Sequence, residues 1–322
     1  MNRRSFLAGT VPAALGVHSA HAQRLPVVGW LSYATAAAAA GSRAIFLEGM
    51  AENGYLPGRT FTLEERYADE RIDRVADLAR SLAEQPANAI VTYGAAVKST
   101  LDTVKTVPVL YSFSGDPVDA GFAASLTRPG RNASGVSYLS AELNGKRIEL
   151  LREFMPRLRT LAVLANPDHP GEGRDMAVCR LTAASLDLGL VYYPARNRAE
   201  MEAAFDRIPA ANVGAIMALS DIVTVQNRVW IANAAARLGI PVIASWAVFA
   251  RSGFLFSYGP KVEEVHRQLA RQVERVLKGA DPATLPIEQP VRFELVINAK
   301  TAGQYAIAIP PAIFARADEI IE

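Results

Sequence analysis

The chain holds 322 residues, half of them apolar, with 34 Lys and Arg against 32 Asp and Glu. Such a composition argues for packed cores and against disorder, and the near-neutral balance offers no basic face for a nucleic acid. One cysteine, Cys179, excludes an intrachain disulfide, and with only four histidines a zinc centre of the Cys and His kind is not expected.

Residues 1–22 read MNRRSFLAGTVPAALGVHSAHA. Arg3 and Arg4 precede a weakly apolar stretch, and Ala20-His21-Ala22 has the small-x-small form of a cleavage site, so this is an export signal cut after Ala22. The Arg3-Arg4-Ser5-Phe6-Leu7 run is similar to a twin-arginine signal. Pro12 argues against an ordinary first helix. Cleavage removes two arginines and no acid, leaving 32 basic residues against 32 acidic ones. It also removes His18 and His21, so His169 and His266 remain, each read as a lone exposed or capping histidine. No cysteine lies near the cleavage point to carry a lipid. No later run approaches the roughly 18 apolar residues that span a bilayer. The expected product is a soluble periplasmic protein of about 300 residues, a length suited to two domains.

Short apolar runs then alternate with helical patterns. Strands are expected at 26–32, 60–66, 89–93 and 107–113, then at 161–166, 190–193, 214–219 and 241–245. Apolar on both faces, they read as buried parallel strands. Helical period appears at 43–53, 74–83, 148–154, 225–238 and 263–278, with Gly54, Gly239 and Gly279 as stops. The alternation pauses at 128–138, RPGRNASGVSY, and at 254–260, FLFSYGP; both read as crossings between lobes. The tail adds a strand at 292–298 and at least one helix. The expected division is 23–135 with about 260–288 in one lobe, and 136–259 with about 289–322 in the other. This describes an α/β protein of two Rossmann-like lobes with parallel sheets, joined by a multi-strand hinge that can close on a ligand.

Ligands of open parallel sheets lie beyond the carboxyl ends of the strands. The loops there offer Trp30, Tyr33, Tyr93-Gly94-Ala95, Phe113, Ser114 and Asp116, then Asn166, Asp221, Trp246 and Tyr258. Asp116-Pro117 has the form of a helix start, Asp at the N-cap and Pro following. Its free N–H groups, with Ser114, would receive a carboxylate. Tyr93-Gly94 opens a second helix N-terminus, or is simply a tight turn. Asp221 has Thr224 beside it as an alternative cap, which would leave its carboxylate for a ligand ammonium. Trp30, Phe113, Trp246 and Tyr258 are either core edge or an aromatic box for a flat ligand. The chain has no phosphate-binding G-x-x-x-x-G-K-[ST] or G-x-G-x-x-G and no G-x-S-x-G nucleophile turn. A binding cleft without catalytic equipment or cofactor is the reading; an α/β enzyme acting on a small acid is the alternative. A transcription regulator of the same two-lobe shape would need a basic DNA-binding segment ahead of residue 26, and there is none.

Five spaced motifs carry a resemblance. PVLYSFSGDPVDAGFAASLTRPGRNASGVS, LAVLANPDHP, AARLGIPVIASW, GFLFSYGP and the C-terminal block from LKGADPATLP to the end together span about residue 26 onward. They resemble the solute-binding family of ABC transporters that includes tryptophan-type binding proteins with the class I (type I) periplasmic-binding fold. The resemblance implies capture of a small organic solute, an amino acid or related carboxylate, and its delivery to an inner-membrane permease; the protein is expected to act as a monomer. Arg131 departs from the family's usual glycine, and Ser134 from its frequent threonine, so the turn at Arg131 and the solute identity do not carry over.

Overall fold

Apolar strands buried on both faces need helices on both faces, and the chain supplies them twice. The computed structural model describes residues 24–322; the export signal expected at 1–22 lies outside the described residues. The first lobe runs β1 (Val27–Ser32), α1 (Ala36–Glu52), β2 (Thr62–Tyr67), α2 (Ile72–Ala83), β3 (Ala87–Tyr93), α3 (Ala96–Thr103), β4 (Val109–Phe113) and β5 (Ala133–Ser137). The second follows as α4 (Ser140–Phe154), β6 (Thr160–Ala165), α5 (Glu172–Ser185), β7 (Gly189–Pro194), α6 (Arg198–Arg207) and β8 (Ala215–Ala218). It continues through α7 (Ile222–Gln226), α8 (Arg228–Leu238), β9 (Val242–Ala244), α9 (Ala247–Arg251) and β10 (Phe256–Pro260). Helix α10 (Val262–Leu277) returns to the first lobe. Strand β11 (Phe293–Asn298), α11 (Ala299–Gln304), α12 (Pro311–Phe314) and β12 (Glu319–Ile321) end in the second.

The sheets are ordered β2-β1-β3-β4-β5 and β12-β11-β10-β9-β8-β6-β7. The first five strands of each lobe thus share one doubly wound order, all parallel, and β11 joins β10 antiparallel. In β1, Val28 and Trp30 pack with Phe46 of α1 and with Val265 and Leu269 of α10. Leu31 faces the opposite core, with Val75 and Leu82 of α2 and Leu101 of α3. Helix α10 buries the stripe Val265, Leu269, Val273 and Val276, each side chain contributing roughly 1.5–3 kcal/mol. The chain crosses between lobes three times: at Tyr138-Leu139, at Lys261, and again before β11.

Four expectations change. The 128–138 stretch is not all linker, because Ala133–Ser137 is the edge strand β5 of the first sheet. Its small residues serve close approach: a Cβ on Gly135 would lie 1.8 Å from the Tyr111 carbonyl oxygen. Residues 256–260 form β10, an interior strand of the second sheet, and the crossing is confined to the residue after it. Asp116-Pro117 starts a turn rather than a helix. Two shorter helices, α7 and α8, meeting at Asn227, replace the single one expected at 225–238.

Candidate solute-binding site

The doubly wound order reverses between β1 and β3, and again between β6 and β8, which opens a crevice at the carboxyl end of each sheet. The two crevices face each other. Between them lies a cavity of about 450 Å³, walled by Tyr93, Gly94, Ala95, Ser112 and Ser114 from the first lobe. His169, Asp221 and Trp246 line it from the second lobe, with Tyr138 at the crossing and His266 from α10. An adjoining space of about 560 Å³ shares Ala95, His169 and Asp221 and adds Tyr33 and Asn166.

At the first-lobe wall, Gly94 has φ +58° and opens α3, which has no side-chain cap. The first N–H groups of a helix lack intrahelical partners, and here Gly94 and Ala95 bring that helix start to the cavity. The Tyr93 hydroxyl and Ser32 Oγ are hydrogen-bonded at 2.9 Å. Burial pushes the Tyr93 and Tyr138 hydroxyls up to about 12, so both stay neutral.

Asp221 supplies the acidic pole. Its Oδ1 accepts from the Val223 N–H at 2.7 Å and its Oδ2 from Asn166 Nδ2 at 2.6 Å. Of the two candidate caps, Asp221 itself caps α7, with Thr224 Oγ1 accepting the Asp221 N–H at 3.1 Å. The extended backbone of Asp221 turns its carboxylate back onto the helix start. Each oxygen keeps a lone pair, and Asp221 still lines the cavity.

Asp116 is also reassigned. Its Oδ1 accepts from the N–H groups of Val118 and Asp119, at 2.7 and 3.2 Å, so it consumes the donors that a solute was expected to meet. Its other oxygen sits 3.5 Å from Arg174 of the second lobe, which also bonds Asp119 at 2.8 Å. Trp30 and Phe113 do not line the cavity. Both are fully buried in first-lobe cores, Trp30 against Phe46 and Tyr93, Phe113 against Phe122. Tyr258 packs beside the second core, and its carbonyl accepts from Arg147 Nε at 2.7 Å.

Sequence reasoning missed Ser112, Tyr138 and both histidines. His266 is buried in α10, where its Nδ1–H donates to the Val262 carbonyl at 2.9 Å. Its Nε2 has no partner among the described residues, nor has Trp246 Nε1. His169 receives the Gly171 N–H on Nδ1 at 3.1 Å and meets Ser114 Oγ through Nε2 at 2.8 Å. Its ring stacks on Phe113, centroids 5.2 Å apart. Burial holds both imidazoles below the ordinary histidine range, although Asp221 and Glu172 pull His169 upward. Because the Nδ1 lone pair of His169 is occupied, its proton sits on Nε2, toward the serine. Ser114 therefore faces an N–H and not a base, the reverse of what nucleophilic catalysis requires. Among the described residues no group of three His, Cys, Asp or Glu could hold a metal ion.

Comparison with known proteins agrees with this geometry. The model of the family "ABC transporter substrate binding protein" matches residues 36–321. A "Tyrosine-binding protein" of Clostridioides difficile is 22% identical over 258 residues, covering 80% of this chain and 74% of that protein. Among solved structures, a conserved domain protein from Vibrio cholerae is 25% identical with a TM-score of 0.86, covering 92% of this chain and all of that one. An ABC domain from Streptococcus pneumoniae in complex with L-Trp is 20% identical, with the same coverage and the same TM-score. A ligand-free, open substrate-binding protein from Clostridium difficile is 18% identical with a TM-score of 0.69, covering 92% of this chain and 99% of that one. With the family model matched across nearly the whole described chain, this protein belongs to the ABC transporter substrate-binding protein family.

Proposed function

We propose that the protein is the periplasmic solute-binding component of an ABC importer and that its solute is an amino acid, preferentially one with an aromatic side chain. One observation carries this reading: the cavity has two opposite poles. The uncapped start of α3 and Ser114 form a donor pole suited to a carboxylate. Asp221, on the facing lobe, forms an acceptor pole suited to an ammonium. Between and beyond them stand Tyr93, Tyr138 and Trp246, the last two with ring centroids 5.3 Å apart. A zwitterion satisfies both poles, and a flat side chain covers the aromatics.

The relatives named for tyrosine and bound to L-Trp point the same way. The lobes close around the solute by hinge motion. In support, this chain overlays better on the L-Trp complex than on the ligand-free, open structure, and several side chains bridge the lobes. The reading includes export, cleavage after Ala22, action as a monomer and delivery to an inner-membrane permease.

Titration calorimetry with L-tryptophan, L-tyrosine, L-phenylalanine, L-leucine and L-aspartate tests it. Binding of the aromatic amino acids ahead of leucine and aspartate is expected. Failure of all five, with a different small molecule seen by native mass spectrometry, sinks the amino-acid reading.

A further inference from the structure

We propose that His169 fixes the polarity of Ser114 when the lobes close, making that hydroxyl a donor that selects a lone-pair-rich group on the solute. The proposal deepens the amino-acid reading above and rests on it for the solute's identity, but not for the contact itself.

The two residues come from different lobes. Ser114 follows β4, and His169 lies in the loop between β6 and α5. A hydroxyl has one hydrogen and two lone pairs. Gly171 donates to Nδ1, so Nε2 holds the ring proton and donates it to Ser114 Oγ across 2.8 Å. One serine lone pair is thereby filled by the opposite lobe. The serine's own hydrogen has no acceptor among the described residues, while Ser114 is 6% exposed and lines the cavity. The free hydrogen is left for whatever fills the cavity, water when it is empty and the solute when it is bound. A carboxylate oxygen accepts it; an ammonium placed there leaves two donors opposed.

This polarity exists only in the closed state. The imidazole reaches Ser114 because the backbones of Gly115 and Gly171 touch without side chains and because the ring lies flat on Phe113, 15° from parallel. When the lobes part, Ser114 loses its fixed partner and its hydroxyl rotates freely to donate or accept. Discrimination is thus completed by closure rather than built into either wall.

The experiment compares L-tryptophan with tryptamine, which lacks the carboxylate, in wild type, His169→Phe, His169→Gln and Ser114→Ala. His169→Phe keeps a ring on Phe113 and removes the N–H. It should lower the preference for tryptophan over tryptamine by roughly tenfold, and His169→Gln, which restores an N–H donor, should recover part of it. The double variant with Ser114→Ala should discriminate no worse than Ser114→Ala alone, since His169 acts through that serine. Additive losses, or an unchanged preference in His169→Phe, overturn the proposal. Long-range proton–nitrogen NMR of the imidazoles supplies a readout that needs no solute. His169 should show the Nε2–H tautomer, because the Gly171 N–H that fills Nδ1 belongs to its own loop and stays with it when the lobes part; an Nδ1–H tautomer overturns the relay. If wild type bound neither compound while the tautomer held, the amino-acid reading would fall and the Ser114–His169 polarity would stand.

Discussion

Gly115 and Gly171 meet back to back across the lobes: a Cβ built on Gly115 falls 2.8 Å from the Gly171 Cα, and one on Gly171 falls 2.7 Å from the Gly115 Cα. Gly171 has φ −92°, a conformation any residue adopts, so alanine there strains no backbone. Gly171→Ala should therefore keep the second-lobe backbone, displace the His169 ring slightly, since the new Cβ falls 3.2 Å from its Cε1, and prop the lobes apart. Small-angle scattering is expected to show a larger radius of gyration, and calorimetry at least a tenfold loss of solute affinity, about 1.4 kcal/mol. An unchanged radius with native affinity would show that the glycine contact does not limit closure.

Asp221 joins two tasks that substitution separates. Asparagine caps a helix about as well as aspartate, so Asp221→Asn should melt close to wild type. It removes the charge facing the ammonium, and affinity for an amino acid should fall roughly ten- to 150-fold, the worth of a charge-assisted bond. Asp221→Ala should lose that affinity and about 1 kcal/mol of stability as well. Full affinity in Asp221→Asn would remove the residue from the ammonium pole.

Asp116 and Ser114 should divide in the opposite sense. Asp116 ties two backbone N–H groups of its own turn, so Asp116→Ala is expected to cost about 1 kcal/mol of stability. Ser114→Ala should leave the melting temperature nearly unmoved and weaken solute binding. Thermal melts beside calorimetry check both; equal stabilities for the two variants would show that the Asp116 turn is not held by its carboxylate.

Asp175 is buried in α5, where its carboxylate accepts from Asn144 Nδ2 at 3.1 Å and Asn144 accepts in turn from Arg147 Nη1. Burial pushes its pKa up to about 7, with Arg147 pulling the other way. A carboxyl whose folded pKa lies above its unfolded one binds its proton more tightly when folded. The stability this lends is complete below about pH 4 and is lost as pH rises through about 7. Asp175→Asn keeps an acceptor for Asn144 and drops the charge. Relative to wild type it should gain stability between pH 4 and 8, by up to about 4 kcal/mol. Denaturation curves showing a constant difference across that range would place the charge elsewhere.

The strands were legible because β1, β3, β4, β6 and β8 carry apolar residues on both faces, a pattern that little else produces. The same property hid which way their aromatics point. A strand buried on both sides has no period-two contrast, so Trp30 and Phe113 read as cavity walls when their faces turn into the cores. Strands β5 and β10 read as crossings between lobes because ASGVS and FSYGP are rich in Gly, Ser and Pro. Their glycines are there for close strand approach: a Cβ on Gly259 would sit 2.4 Å from the Ser245 carbonyl oxygen. Helix α3 was visible only as a glycine-opened turn, since eight residues give little periodicity. His169 carried no local signal at all; its role comes from a serine 55 positions away.

The three crossings have a consequence for how this chain can be divided. Helix α10 closes the core around Trp30 and Phe46, yet it is synthesised after ten strands, five of them belonging to the other lobe. Residues 285–288 then run along β5, where the Glu288 N–H donates to the Gly135 carbonyl at 2.9 Å and the Ser137 N–H to the Glu288 carbonyl at 2.9 Å. No single cut of the polypeptide separates two complete halves. A fragment ending near residue 138 lacks the helix that covers Val28, Trp30 and Leu110, and would present that apolar face to solvent. An isolated first lobe has to be a splice, residues 24–138 joined to 261–288, and a gene interrupted anywhere between them encodes neither lobe whole.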